Sequence, residues 1–193
     1  MKQTRRRCLA LLFVLPMACI SATACAADLV VSAASSLTNA FEEVARAYEA
    51  VHPETHVVLN FASSDTLMRQ IVQGAPVDVF ASADQIAMDR AQAQGVLSAG
   101  SRVDFAANQL VLIVPSSSHA QIDTLKDLSG PAFKLIAWGN PASVPAGRYA
   151  RRVLEQAGLA DALESQAVLA QNVRQCLDYV SRDEVDAGFV YAT

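Results

Sequence analysis

The chain has 193 residues, of which 15 are Lys or Arg and 19 are Asp or Glu, and its formal charge is -4. That acidic balance argues against nucleic acid or an anionic membrane surface as a partner. With 52% hydrophobic residues the chain is long enough to bury a core of its own.

The first residues read as a targeting segment. Lys2, Arg5, Arg6 and Arg7 precede an apolar run over 8–20 that only Pro16 interrupts, and the small residues "SATACAA" follow. This is the pattern of a secretory signal peptide over residues 1–27, and the run is shorter than the ~20 residues a membrane-spanning helix needs. Its removal leaves 166 of the 193 residues and takes away four positive charges, moving the formal charge from -4 to -8. Cys8, Cys19 and Cys25 leave with it. Cys176 then stands alone, so no internal disulfide is expected and the thiol is expected in the core.

Strand patterns begin with "DLVVSA" at 28–33, followed by "HVVLNF" at 56–61, "VDVFAS" at 77–82 and "NQLVLIVP" at 108–115. "FKLIAW" at 133–138 and "DAGFVY" at 186–191 complete the set. Several are continuous apolar runs, as expected of strands covered on both faces. Between the first two, Leu37, Phe41, Val44, Ala45, Tyr48 and Val51 form a helical stripe that stops at Pro53. Leu67, Ile71 and Val72 mark a second helix ending at Gly74, and further helices fit 84–94, 147–157 and 173–181. Alternating strands and helices, without internal repeats, predict an α/β protein with parallel sheets. The strand at 108–115 is expected to cross into a second lobe. A doubly wound lobe does not normally end on a strand, so a fragment is expected.

Four helix starts are built alike, "SAASSLTN", "FASSDTL", "SVPAGRY" and "LAQNVRQ". Each sets cap residues or a proline before free backbone N–H groups, and such a terminus suits an anion. Capping alone explains most such starts taken singly. Four uncharged ones at the ligand-binding end of the strands shift the balance towards an anion site.

Catalytic patterns are weaker. There is no G-x-S-x-G elbow, no Gly-rich phosphate loop, and no Cys at metal-ligand spacing around His52, His56 or His119. Asp78, Asp84 and Asp89 read as caps or solvated acids. An exported hydrolase using Ser35 or Ser36 lacks a recognisable base.

"AASSLTNAFEEVA", "FASSDTLMRQIVQGAPVDVFASAD", "VPAGRYA", "NVRQCLDYV" and "DAGFVY" stand in this order, and together they resemble the molybdate-binding periplasmic proteins of ABC importers. The resemblance implies a two-lobed type II periplasmic binding protein fold, each lobe a mostly parallel sheet flanked by helices, with ligand in the cleft. The expected lobes are 28–112 and 113–193, the first without its C-terminal closing segment.

The resemblance further implies a non-enzymatic receptor for molybdate and tungstate, monomeric and without a cofactor, that delivers its anion to an ABC permease. Ser36 and Ser64 would supply hydroxyls and amides, Ala146 and Val173 backbone amides, and Tyr191 its phenol. A sulfate or ferric receptor of the same fold remains the alternative. The family's "FASSST" reads "FASSDT" here, and Asp65 is expected to favour the helix dipole and point outward like a surface residue.

Overall fold

A computed structural model describes residues 27–192. The signal segment expected over 1–27 lies outside the described residues except for Ala27. The first lobe carries β1 (Ala27–Ala34), α1 (Thr38–Val51), β2 (Thr55–Ala62), α2 (Ser64–Val72), β3 (Val79–Ala81) and α3 (Gln85–Ala93). The second carries β4 (Leu110–Ile113), β5 (Ile136–Gly139), α4 (Pro145–Gln156), α5 (Ala160–Leu163), β6 (Ala167–Ala170), α6 (Val173–Ser181) and β7 (Ala187–Tyr191).

The first sheet has the order β2-β1-β3 and is parallel throughout. The second has the order β4-β7-β5-β6, with β4 antiparallel to β7 and the other pairs parallel. β4 thus belongs to the second sheet, and the lobe boundary expected at 112/113 falls inside it. β6 and the short α5 were not foreseen in the sequence pattern.

Burial separates central strands from edges. β5 and β7 are buried at every position because helices cover both of their faces. Ile136, Trp138 and Phe189 point into a core shared with Leu154 of α4 and Leu163 of α5. Ala137 and Val190 point the other way, towards Cys176 and Val180 of α6. β2 corrects the expectation of two covered faces: its burial alternates along the strand, as suits an edge strand with one face on a core. The α1 stripe is also only partly covered. Ala45 is buried, whereas Val44 and Val51 are 60% and 71% exposed.

Cys176 meets its expectation. It is fully buried, and its Sγ lies 3.2 Å from the Ala137 carbonyl and 3.3 Å from that of Phe189. Burial pushes the thiol up to about 12.

Two registers position the helix starts. Ala34 of β1 pairs with Ala62 of β2, so these strands end side by side and the two serine pairs that follow are neighbours. Gly139 of β5 pairs with Ala170 of β6, which aligns the starts of α4 and α6 in the same way. The start of α4 lies tight on the end of β5: a Cβ built on Gly147 would stand 1.8 Å from the Gly139 carbonyl oxygen. Only glycine fits there.

Candidate ligand-binding site

Ser36, Ser64, Ala146, Val173 and Tyr191 all line one small cavity between the lobes. Ala34, Ser35, Ala62, Ser63, Ala83, Val144 and Pro145 complete its wall. The cavity is small, about 10 Å³, so its walls stand close together. The wall contains no acid, base or histidine.

Each group arrives from a different element. Ser36 sits in the single 3-10 turn between β1 and α1, and Ser64 is the first residue of α2. Ala146 is the second residue of α4, after Pro145, and Val173 is the first of α6. Tyr191 ends β7. Backbone N–H groups in the first turn of a helix have no intrahelical acceptor, and the helix dipole adds partial positive charge there.

The hydroxyls are not used as caps. The N-termini of α1 and α2 have no side-chain cap bond, and only Asn172, before α6, caps among the four helix starts singled out in the sequence. The hydroxyls of Ser36 and Tyr191 are buried without any hydrogen-bond partner. Ser64 Oγ accepts from the Ala83 N–H at 2.9 Å, which leaves its own proton free to donate. Burial, followed by the nearby Tyr149 and Asp84, pushes the Tyr191 phenol above its usual range. It therefore stays protonated, and a donor, at neutral pH.

Asp65 points away from the cavity as expected, but not to the surface. Its side chain is fully buried rather than surface-like, and it is absent from the cavity wall. Arg148 Nη1 of α4 donates to Asp65 Oδ2 at 2.5 Å, and Arg90 Nη1 of α3 donates to the same oxygen at 3.3 Å. Arg148 Nη2 donates to Asp84 Oδ2, also at 2.5 Å. Asp84 Oδ1 meanwhile accepts from the Ala87 N–H at 3.1 Å and so caps α3, the role foreseen for it. Burial opposes the charge on Arg148, but the two carboxylates outweigh it and hold the guanidinium above its ordinary range. Nothing in the sequence pattern singled out Arg148, although it stands inside the "VPAGRYA" motif.

A second cross-lobe contact joins Arg174 Nη2 of α6 to Asn39 Oδ1 of α1. A larger groove, about 1030 Å³, opens beside the small cavity and shares Ser36 and Tyr191 with it. Its walls run along β3 and the segment 101–110 and include Asp78, Asp104, Arg102 and Arg152. Only the small cavity gathers all five residues. Among the described residues no group of three or more His, Cys, Asp or Glu is placed to hold a metal ion.

The chain is similar in sequence and fold to known proteins. The molybdate-binding protein ModA of Escherichia coli is 38% identical over 167 residues, covering 84% of this chain and 65% of that protein. A putative ABC transporter substrate-binding lipoprotein of Bacillus subtilis, YvgL, is 35% identical over 165 residues, covering 86% of this chain and 63% of that protein. The chain therefore spans about two thirds or slightly less of these relatives' length. The solved periplasmic molybdate-binding protein of Azotobacter vinelandii superposes with a TM-score of 0.76 at 32% identity, covering 84% of this chain and 71% of that one. Residues 29–193 match the family of bacterial extracellular solute-binding proteins. With that match, and with two mixed α/β lobes of the type II fold, the chain belongs to the bacterial extracellular solute-binding proteins and is related within them to the molybdate-binding receptors.

Proposed function

We propose that the protein is a non-catalytic periplasmic receptor that captures a tetrahedral oxyanion dianion, molybdate and with it tungstate, for delivery to a membrane ABC permease. One observation carries this reading: Ser36 and Tyr191 present buried, unpartnered hydroxyls to a cavity whose wall also holds Ser35, Ser63, Ser64 and the N-termini of α4 and α6. Molybdate carries no proton at neutral pH and only accepts hydrogen bonds, so a wall of donors satisfies it fully. Hydrogen phosphate brings a proton of its own, which finds an acceptor in the wall only where a hydroxyl gives up its role as donor to the anion, and an unmatched buried polar group costs about 1–3 kcal/mol. Sulfate accepts as molybdate does, so its rejection rests on the cavity's size.

The alternatives draw less support from this geometry. A ferric ion is bound through anionic oxygen ligands, and the small cavity has no carboxylate and a single tyrosine in its wall. Hydrolysis through Ser36 requires a general base, and no histidine or acid lines the cavity beside it. The likeness to the E. coli and A. vinelandii molybdate-binding proteins supports the choice of anion.

Equilibrium dialysis against molybdate, tungstate, sulfate and phosphate tests the proposal. Saturable uptake of one molybdate or tungstate per chain is expected. Uptake of phosphate alone, or of no oxyanion, would refute it.

A further inference from the structure

Arg148 ties the two walls of the cavity together through buried ion pairs, beside the Arg174–Asn39 contact. It stands two residues after Ala146 on α4, in the second lobe, and its guanidinium forks between Asp65 of α2 and Asp84 at the start of α3, both in the first. Both carboxylate side chains are fully buried and the Arg148 side chain is only 17% exposed. The arms are short, 2.5 Å each, and the partners lie 83 and 64 residues away in sequence. Asp65 directly follows Ser64, so the bridge joins the residue beside one cavity donor to the first turn of the helix that carries another.

Net stability is a poor explanation for such a cluster. Two carboxylates and two guanidinium groups meet here, and the Arg148 Nε–H is buried without an acceptor. Desolvation of buried ions commonly cancels their mutual attraction, and apolar residues of similar volume often do as well or better. What apolar residues cannot supply is a fixed distance and angle between two separately folded walls. A guanidinium fork supplies both, through planar, directional hydrogen bonds.

We propose that Arg148 is a positioning residue for the cavity: its fork to Asp65 and Asp84 sets how closely the start of α4 approaches the starts of α2 and α3. The spacing between the donors of the two lobes then follows from the length of this bridge. Its effect on anion binding rests on the oxyanion reading given above, whereas its effect on lobe closure does not.

The test compares the wild type with R148M, R148K and the triple variant D65S/D84N/R148M. Sodium molybdate binding and release are followed by titration and stopped flow, and the radius of gyration is measured without added anion. R148M is expected to bind at one site per folded chain, with association within about twofold of wild type and release at least roughly tenfold faster. A folding defect would instead lower the number of sites and leave their release rate unchanged. R148K is expected to stay impaired, because an ammonium cannot fork to two carboxylates.

The triple variant leaves no unmatched buried charge and remains informative where R148M does not fold. It lacks the bridge, so its release is expected to stay fast and its radius, like that of R148M, to exceed the wild-type value. Release from the triple variant within about threefold of wild type would overturn the proposal, since charge masking alone would then account for the cluster. An unchanged radius in both variants would overturn it as well. If the wild type binds no molybdate, the oxyanion reading fails, and the radius alone decides whether the bridge sets closure.

Discussion

Arg148 Nη1 on the second lobe donates to Asp65 Oδ2 on the first at 2.5 Å, and the Asp65 side chain is fully buried. The carboxylate that interrupts the serine-rich start of α2 is thus held by cations and does not face the cavity. Its burial and its ion pairs make this position matter for stability, although it lies outside the cavity wall. Asp65→Ser leaves Arg148 with Asp84 alone and removes the charge-assisted bonds to Asp65, at a cost of about 2–3 kcal/mol. A urea denaturation midpoint lowered accordingly checks this, and an unchanged midpoint would return Asp65 to the surface.

Tyr191 and Ser36 should give opposite signs in stability and in binding. Their buried hydroxyls have no partner in the protein, so Tyr191→Phe and Ser36→Ala each remove an unsatisfied polar group. The anion-free protein is expected to gain up to about 1 kcal/mol in each variant. Each also loses one charge-assisted bond to the anion, so affinity is expected to fall by about 1.5–3 kcal/mol, roughly tenfold to a hundredfold or more. Thermal melts without anion, paired with molybdate titrations, read both signs.

Gly147→Ala isolates the packing of α4. In an exposed helix interior this change gains up to about 1 kcal/mol from helix propensity. Here the new methyl would stand 1.8 Å from the Gly139 carbonyl oxygen, a backbone atom that cannot turn aside. A net loss of about 1–3 kcal/mol or more is expected, together with weakened anion binding as the Ala146 amide shifts. Denaturant unfolding checks the sign, and a gain in stability would show that α4 does not lie against β5 as described.

Alkaline pH should destabilise the fold. The Cys176 thiol is raised from 9.0 to about 12 by burial, and the Tyr191 phenol is raised as well. Both groups keep their protons longer in the folded chain than in the unfolded one, so the unfolded state binds fewer protons above about pH 9 and stability falls as pH rises. The thiol's contribution is complete below about pH 9 and is lost progressively towards about pH 12. Melting temperatures should be level from neutral pH to about 9 and then decline, and Cys176→Ala should flatten the first part of that decline.

The parts of the fold that were legible in the sequence are those with local causes. The strand at 28–33, the helix at 173–181 and the four helix starts rich in small and polar residues follow from β-branched runs, apolar periodicity and turn residues within a few positions of each other. β6 escaped because "AVLA" is only four residues long and follows directly on a helical turn, leaving no alternation to detect. The exposed side of β2 escaped because an apolar run does not reveal whether its strand lies at a sheet edge. The five cavity residues were identifiable through a family resemblance, since the serines read only as caps in isolation. The Arg148 bridge has no local signature at all: its partners are 83 and 64 residues away, and only the pairing of two sheets with their helices brings them together.

The central claim is that the cavity is a wall of donors built for an anion without protons. Calorimetric titration of the chain with molybdate, and separately with phosphate at neutral pH, tests it most directly. Molybdate is expected to bind at least roughly a hundredfold tighter than phosphate, a difference of about 2.7 kcal/mol. Comparable affinity for the two anions would contradict the account.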